Sequence, residues 1–370
     1  MKIGIVTLYV NNSIGNRLQT YAVMRLYRSL GYDVATVNHR EAELFLTWSP
    51  LSRIKMAVKA LLARICPNIY PKFRRRRLLT DFSEQCLIPS ETVSMKCLPP
   101  DLKERYDFFS VGSDQVWHNW TDTPEELRFF FLQFADRRQR LCLSPSFGLE
   151  RIPEKWTAVY QEGLRGFRCL SCREASGVEL IRALTGRDAP LLLDPTMALP
   201  VEEWERLERK PDCPLPERYV LSYMLGPLQA ETPEAVSRYA RSLGAEVVNI
   251  NDVDNLTKQF AATGPREFLY LIRHAALVCT NSFHGTVFSI LFQRNFVCFN
   301  RDDVSSTGDM SNRIFTLLDK FHLSARRHGV LADDDLLVTN YAGAEETLSR
   351  ERERVLDYLR EALADNNGES

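Results

Sequence analysis

Short apolar runs alternate with segments of helical periodicity in the first half of the chain. The opening apolar run at residues 3–8 is followed by a helical pattern over residues 17–30, which Gly31 ends. Such alternation predicts parallel sheets with right-handed crossovers. We predict the strands of this half at residues 3–8, 34–37, 108–112, 140–147, 167–172 and 191–193.

A second alternation follows a proline-rich break at residues 210–216, which is typical of a linker. The apolar pattern beyond it predicts strands at residues 219–224, 246–250, 277–280 and 296–299, and helices at residues 233–243, 266–274 and 284–292. We therefore predict an α/β fold with two Rossmann-like, doubly wound domains facing a cleft. Ligands bind such sheets beyond the carboxyl ends of the strands.

The predicted domain boundaries follow from these patterns. Residues 1–209 form the N-terminal domain with a basic helical insertion at about 45–105, residues 210–340 the C-terminal domain, and residues 341–370 a C-terminal helix and tail. Within the insertion, residues 51–80 hold nine Lys or Arg and no acid, with apolar positions at helical spacing. Two interpretations stay open for this segment: a solvated helix packed on the domain, or peripheral contact with an anionic membrane surface.

Composition narrows the class of protein. The 370 residues carry a formal net charge of −1 and are 45% hydrophobic, which suits two globular domains and argues against a dedicated nucleic-acid binder. No apolar run approaches the length of a membrane span. Nine scattered cysteines fit reduced thiols and a cytoplasmic location, at the inner face of the membrane if the basic segment binds lipid. Histidine and cysteine spacings predict neither a metal site nor a bound cofactor.

The start of the first helix is the first candidate for chemistry. Gly15 permits close backbone approach, and the helix N-terminus offers N–H groups to an anion. Asn16, Arg17 and Gln19 add polar side chains there. A capped turn without a ligand explains the same residues. Neither the glycine pattern of a dinucleotide site nor a P-loop lysine is present, so neither a nicotinamide nor an NTP site follows.

A second candidate follows the apolar run that ends near Gly112. Ser113, Asp114 and Gln115 would stand at the carboxyl edge of the sheet, where Asp114 could act as a base or accept a hydrogen bond from a sugar hydroxyl. Trp117 would offer a stacking surface for a sugar ring. The alternative is a helix-capping aspartate beside a core tryptophan.

The third candidate is His284, which an apolar strand and an apolar helix place at a sheet edge behind Asn281 and Ser282. Histidine exchanges protons near neutral pH, although a buried structural histidine is the alternative. Guanidinium groups match the planar oxyanions of a carboxylate or phosphate. The arginines that follow predicted strands or lie near their ends are Arg173, Arg301 and Arg313.

These motifs, taken together and in order, resemble the polysaccharide pyruvyl transferase family. No single one is decisive, but the matching stretches span most of the chain. They are residues 15–22, 112–117, 146–148, 173–177, 193–196, 264–268, 282–289 and 311–314.

The resemblance implies a GT-B-like arrangement of two Rossmann-like domains. It also implies phosphoenolpyruvate as donor and a sugar or lipid-linked oligosaccharide as acceptor, with a pyruvate ketal as product in capsule, exopolysaccharide or other glycan synthesis. Where the family has an Arg-x-His motif contacting the donor, this chain has Ser282 and His284, so the histidine is kept and the arginine is missing. Arg173 matches another arginine of the family.

The expected roles combine the resemblance with the chemistry of the residues. His284 is the candidate acid/base, and Asp114 would orient or deprotonate a sugar hydroxyl. The residues expected to bind the donor are Arg173, Arg313, Arg301, Asn16, Arg17, Asn281 and Ser282, and those expected to bind the acceptor are Gln19, Ser113, Gln115 and Trp117. The alternatives are a glycosyltransferase that uses a nucleotide sugar and a catalytically decayed glycan-binding protein.

Overall fold

Two parallel sheets form the framework of the protein. The computed structural model describes residues 1–8, 13–39, 58, 71–87, 89–250, 262–301 and 312–364. The first sheet has the order β3-β2-β1-β4-β5, with strands β1 (Lys2–Val6), β2 (Asp33–His39), β3 (Pro89–Val93), β4 (Phe108–Val111) and β5 (Arg140–Cys142). The second has the order β7-β6-β8-β9, with strands β6 (Tyr219–Tyr223), β7 (Glu246–Asn249), β8 (Leu277–Thr280) and β9 (Phe296–Cys298).

Helices connect the strands and cover the sheets. In the described ranges they are α1 (Ile14–Ser29), α2 (Pro71–Cys86), α3 (Pro124–Phe130), α4 (Thr157–Arg165), α5 (Ala175–Thr185), α6 (Pro195–Ala198), α7 (Val201–Leu207), α8 (Thr232–Ser242), α9 (Pro265–His274), α10 (Phe283–Leu291), α11 (Asn312–Lys320) and α12 (Ala344–Leu363). None of them combines the length and the apolar composition that crossing a lipid bilayer requires.

The central strands are buried along almost their whole length, because helices cover both faces of a parallel sheet. One continuous apolar cluster runs from Ile3 and Ile5 in β1 to Leu221 and Tyr223 in β6, and it includes Val355 and Leu359 of α12. The core therefore joins the two sheets rather than stopping at each.

Each sheet contains a point at which the order of its strands reverses. β1 pairs with β2 on one side and β4 on the other, and β6 pairs in the same way with β7 and β8. Ligands bind doubly wound sheets at these switch points. The predicted fold class of two Rossmann-like units is confirmed, whereas the domain boundaries stay a prediction.

Three predicted strands are shorter than expected or absent. The strand predicted at 140–147 ends at Cys142, because Ser144 has a φ of 47° and Pro145 follows it. The runs at 167–172 and 191–193 form only a single bridge, between Cys172 and Leu191. Pro190 lacks an N–H with which a ladder could continue.

The predicted insertion at 45–105 divides into two parts. Residues 40–57 and 59–70, and with them most of the basic segment 51–80, lie outside the described residues. Its described part contains α2 and then β3, which pairs with β2 as the edge strand of the first sheet. Part of the predicted insertion, residues 89–93, thus belongs to the first sheet itself.

Candidate active site

The turn after β4 carries a buried carboxylate. Asp114 adopts a φ of 70°, a left-handed conformation that aspartate tolerates better than most residues. Its Oδ1 accepts a hydrogen bond from Nη2 of Arg173 at 2.9 Å. Ser113, which precedes it, is fully buried, and its Oγ lies 2.9 Å from Oδ2 of Asp194. The residues that end β4 therefore point into a network formed by distant parts of the chain.

Arg173 joins two carboxylates. Its Nη1 lies 2.5 Å from Oδ2 of Asp194, and its Nη2 contacts Asp114, while the side chain is completely buried. Burial lowers the pKa of Arg173, but the charges of Asp114 and Asp194 outweigh it and raise the pKa above its ordinary value. The guanidinium also lies 4.3 Å from the ring centroid of Phe283. Its charge is balanced within the protein, and only its Nε has no hydrogen-bond partner.

Asp194 belongs to this network although the sequence analysis gave it no role. It caps α6, where Oδ1 accepts hydrogen bonds from N of Thr196 at 3.0 Å and from Oγ1 of Thr196 at 2.6 Å. Burial raises the pKa of Asp194, but Arg173, His284 and these hydrogen bonds bring it down to about 2. The signal was visible as an Asp-Pro pair after an apolar run, which indicates a helix start and says nothing about a site.

His284 approaches the network from the second sheet. It lies in the first turn of α10, whose N-cap Ser282 accepts a hydrogen bond from N of Gly285. Its Nε2 stands 4.0 Å from Oδ2 of Asp194 and has no hydrogen-bond partner. Burial lowers the pKa of His284, the two aspartates oppose this, and the nearby Arg173 and Arg313 add to the lowering, so its pKa falls below the ordinary value.

Gly15 supplies the surface on which this imidazole rests. A Cβ atom at Gly15 would overlap the His284 ring. Gly15 follows β1 and His284 follows β8, so the carboxyl edges of the two sheets meet at this contact. The glycine is needed here for close approach, as the sequence predicted, but its neighbour is a side chain of the same protein.

Arg313 completes the charged group from the first turn of α11. It is buried, lies 5.9 Å from the ring centroid of Phe283, and interacts electrostatically with Arg173, Glu174, Asp114 and Arg301. Burial and the neighbouring arginines lower the pKa of Arg313 to about 10, so the group stays charged at neutral pH. We call six residues the central cluster: Ser113, Asp114, Arg173, Asp194, His284 and Arg313.

Four residues expected to touch a ligand hold the scaffold instead. Arg17 donates through Nε to O of Leu79 and to Oγ of Ser83, which ties α1 to α2. Gln19 is fully buried, and its Oε1 accepts a hydrogen bond from N of Ser113 at 2.9 Å. The two remaining residues bond within the second sheet's edge: Asn281 to N and O of Leu225, and Ser282 as the cap of α10.

Asn16 and Arg301 occupy the margins of the central cluster. Asn16 is buried at the start of α1, and its carbonyl accepts hydrogen bonds from the Gln19 and Thr20 side chains. Arg301 lies three residues after the end of β9 and interacts electrostatically with Arg313 and Tyr223. Both therefore lie at the sheet edges that the sequence predicted.

The predicted stacking role of Trp117 is not supported. The side chain has 0% exposure, packs against Phe147 at 5.0 Å and donates through Nε1 to O of Phe130. An aromatic residue three positions later, Trp120, is instead 50% exposed. The apolar surroundings of the Gly112–Trp117 motif favour a core tryptophan, which was the alternative considered for it.

Glu174 is a second functional-looking residue that sequence reasoning left without a role. Its Oε1 accepts hydrogen bonds from N of Phe147 at 2.7 Å and N of Gly148 at 2.9 Å, and its Oε2 accepts from Oγ of Ser146 at 2.6 Å. It thereby fixes the 146–148 turn. The stretches 146–148 and 173–177, which both resemble the family, are therefore in direct contact.

A cavity of about 620 Å³ lies elsewhere, at the far end of α10 from His284. It is lined by residues of α7, α9, α10 and α12, and none of the predicted site residues borders it. Across the described ranges, no three His, Cys, Asp or Glu side chains gather as metal ligands do. The expectation that the protein uses no metal or cofactor stays a prediction.

Comparisons with known proteins place this geometry in context. Similar solved structures include UDP-GlcNAc 2-epimerase from Neisseria meningitidis bound to UDP-GlcNAc, with a TM-score of 0.52, 8% identity, and coverage of 99% of this chain and 100% of that chain. Another is UDP-GlcNAc 2-epimerase from Methanocaldococcus jannaschii, with a TM-score of 0.51, 10% identity, and coverage of 96% and 93%. At such identities the likeness shows the fold alone, and it is the GT-B-like fold that the sequence predicted.

The family comparison is more specific. No curated protein sequence gives a significant match. The model of the polysaccharide pyruvyl transferase family, however, matches residues 14–303, which is more than half of the chain and includes five of the six residues of the central cluster. The matched residues include Gly15, which contacts the His284 ring, and Arg301, which lies three residues after β9. The chain belongs to the polysaccharide pyruvyl transferase family.

Proposed function

We propose that this protein transfers the pyruvyl unit of phosphoenolpyruvate to two hydroxyls of one sugar, forming a pyruvate ketal and releasing phosphate. The observation that carries the proposal is the central cluster, where a buried imidazole with an unpartnered Nε2 lies among two carboxylates and two guanidinium groups. Membership of the family supports the class of reaction.

The donor brings two anionic groups, a carboxylate and a phosphate. Arg173 is neutralised by Asp114 and Asp194, so we assign the main anion-binding role to Arg313, assisted by Arg301. Desolvation destabilises the charged form of a buried guanidinium and lowers its pKa. A bound anion therefore stabilises the charged guanidinium. These two arginines would supply the charge that is missing at Ser282. The free Nε of Arg173 offers one further donor.

Proton transfer is assigned to His284. Its lowered pKa keeps the imidazole neutral at physiological pH, so Nε2 can accept a proton from a sugar hydroxyl. The imidazolium formed is stabilised by Asp194 and Asp114, whose charges favour the protonated ring. Asp114 would orient the attacking hydroxyl. The function of Arg173 is then to hold the two carboxylates in place.

The proposed reaction forms two C–O bonds at C2 of phosphoenolpyruvate and breaks the one to phosphate. One hydroxyl oxygen bonds to C2 of phosphoenolpyruvate while the methylene carbon gains a proton and becomes a methyl group. The C2–O bond to phosphate breaks, and the second hydroxyl oxygen takes its place. Two hydroxyl protons are released, of which one equals that gained by carbon and the other leaves with phosphate. The site must bind two anions and relay protons, and both tasks match the residues of the central cluster.

A donor panel tests the proposal against its alternatives. The fold is shared with UDP-GlcNAc 2-epimerases, so the fold cannot separate phosphoenolpyruvate from a nucleotide sugar as donor. We expect phosphoenolpyruvate, and not UDP-GlcNAc, to raise the thermal unfolding midpoint. Stabilisation by UDP-GlcNAc alone would favour a glycosyltransferase, and stabilisation by neither compound would favour a glycan-binding protein.

The acid/base assignment has its own test. With phosphoenolpyruvate and a panel of methyl glycosides, we expect His284→Ala to reduce phosphate release by about 10²–10⁴-fold, the usual contribution of such a group. His274→Ala is the matched control, because His274 is exposed and far along a different helix. A loss of less than about tenfold in His284→Ala would remove this residue from the proton-transfer role.

A further inference from the structure

The loop that follows Asp114 of the central cluster exposes the indole ring of Trp120. Trp120 is 50% exposed and is the one aromatic side chain among the large apolar residues exposed in the described part of the chain. Its neighbour Trp117 lies in the core, so the loop separates two tryptophans with opposite surroundings. A single exposed apolar side chain is common on protein surfaces, so the residues around Trp120 decide whether it can bind a ligand.

Trp120 is held rigidly despite its exposure. Its Nε1 donates a hydrogen bond to O of Gln115 at 3.1 Å, and its ring centroid lies 4.1 Å from that of His118. His118 is fixed in turn by a hydrogen bond of 3.0 Å to O of Phe147. Asn119 has a φ of 58°, and its Oδ1 accepts from N of Thr123. A surface ordered before the ligand arrives loses little entropy on binding.

The indole is joined to the central cluster through a single residue. The N–H of Gln115 donates to Oδ1 of Asp114 at 2.9 Å, while the carbonyl of Gln115 accepts from Trp120. Burial lowers the pKa of His118, and the charge of Arg313 from the second unit adds to this lowering. Trp120 is therefore linked to Asp114 through the backbone of Gln115.

Two carboxamide nitrogens at this place have no hydrogen-bond partner. Gln115 is 8% exposed, and its Nε2 is buried beside Gly148 without an acceptor. The Nδ2 of Asn119 is likewise buried and unpartnered. Unsatisfied buried donors are costly and occur where a ligand or water completes them. Sugar hydroxyls are suitable acceptors for carboxamide N–H groups.

We propose that Trp120 is the stacking floor of an acceptor subsite for a pyranose ring, with the Gln115 carboxamide reading one hydroxyl of that sugar. A pyranose has an apolar C–H face for the indole and a polar rim for hydrogen bonds, which is the combination that these residues offer. The inference rests on the proposed function, because Trp120 is linked through Gln115 to Asp114, the residue that would orient the attacking hydroxyl. Trp120 takes over the stacking role that the sequence had suggested for Trp117.

Binding and turnover of methyl glycosides test this subsite. The probes are the methyl β-pyranosides of galactose, glucose, mannose and N-acetylglucosamine, with binding followed by saturation-transfer NMR on the full chain. We expect the C–H protons of one sugar face to receive saturation in the wild-type protein and Trp120→Phe, and to lose it in Trp120→Ala. In turnover with phosphoenolpyruvate, Trp120→Ala should raise the acceptor KM at least tenfold and Trp120→Phe less than threefold.

Controls separate this inference from the proposed function. The phosphoenolpyruvate-dependent rise in unfolding midpoint should be the same in the wild-type protein, Trp120→Ala and Trp120→Phe, which also shows that the variants fold. Should phosphoenolpyruvate fail to bind while glycoside binding still depends on Trp120, the subsite stands and the proposed reaction does not. An acceptor KM within twofold of wild type in Trp120→Ala, or no glycoside binding by the wild-type protein, would overturn the subsite.

Discussion

The two sheet edges that meet in the central cluster balance their charges in different ways. At the edge of the first sheet, Arg173 is paired with Asp114 and Asp194, and its pKa is raised. At the edge of the second unit, Arg313 is equally buried, but desolvation outweighs its partners and its pKa falls to about 10. His284 on that side keeps an unpartnered Nε2.

This difference teaches that burial alone does not define the role of a charged group. A guanidinium whose carboxylates are already in place holds geometry, whereas one whose desolvation is only partly repaid gains free energy from an incoming anion. The first edge thus holds an ion-pair network whose charges are balanced, and the second is the side on which the anionic donor would complete the charge balance. The following predictions test this contrast, starting from the largest effect.

Replacing Arg173 should lower the free energy of unfolding more than any other change proposed here. Arg173→Ala leaves Asp114 and Asp194 as buried charges without a partner, and breaking a buried ion pair in this way costs about 3–5 kcal/mol. The measurement is the free energy of unfolding from urea titration at neutral pH. Arg182→Ala serves as control, because Arg182 pairs with Asp188 on the surface, and its unfolding should be nearly unchanged. A loss below about 1 kcal/mol in Arg173→Ala would contradict the network.

Displacing the imidazole should abolish most activity without unfolding the protein. Gly15→Ala places a methyl group where the His284 ring lies, and a shift of about 1 Å in a catalytic group can cost about 100-fold in rate. Alanine is favoured over glycine inside a helix, so α1 itself should not be weakened. Phosphate release and the unfolding midpoint are measured together. Arg28→Ala, an exposed change on the same helix, should retain full activity. Wild-type turnover in Gly15→Ala would show that the contact has no catalytic role.

Replacing Arg313 should weaken donor binding and leave stability intact. Arg313→Met keeps much of the volume and removes a buried charge whose desolvation is incompletely repaid. We expect the Kd for phosphoenolpyruvate, measured by calorimetry, to rise at least tenfold. The unfolding midpoint should stay the same or increase, in contrast to Arg173→Ala. Unchanged donor affinity, or a stability loss as large as that of Arg173→Ala, would erase the distinction between the two arginines.

The pH profile should give the smallest but most specific signal. Because the pKa of His284 is lowered, the catalytically useful neutral ring persists below pH 6.5, and kcat/KM should be flat near neutrality and fall only in more acidic buffer. The unfolded chain binds this proton more tightly, so His284 makes stability fall as the pH drops below 6.5 towards the folded pKa. Asp194, with a pKa of about 2, stays ionised across this window. A kcat/KM inflection above pH 7 would contradict the assignment.

The fold was largely predictable because its signals are local. Continuous apolar runs marked β1 and β8, and the stripe of α12 identified the C-terminal helix. The errors came from apolar runs interrupted by backbone chemistry: Pro145 and Pro190 stop ladders that the run of Leu and Cys residues would otherwise favour. Apolar character alone does not reveal whether an N–H is available for pairing.

The central cluster was only partly predictable. The expectation of a cleft between two sheet edges placed Asp114 near His284, and Arg173 lies with them although the strand predicted before it forms only a single bridge. The sequence could not show that the Gln19 carboxamide accepts a hydrogen bond from N of Ser113, 94 residues away. Such a partner is determined only by the fold. Asp194 was missed for the same reason, since a helix cap and a member of the cluster have the same local pattern.

The contact between His284 and Gly15 has a consequence for the proposed reaction, because it joins the two halves of the chain. Neither half of the chain contains all the residues of the central cluster, and Gly15 contacts His284 where the two halves meet. A small rotation of one half against the other would leave each side chain chemically unchanged but would move His284 away from Asp194. Under the proposed function, catalytic competence would therefore depend on the docking of the two halves.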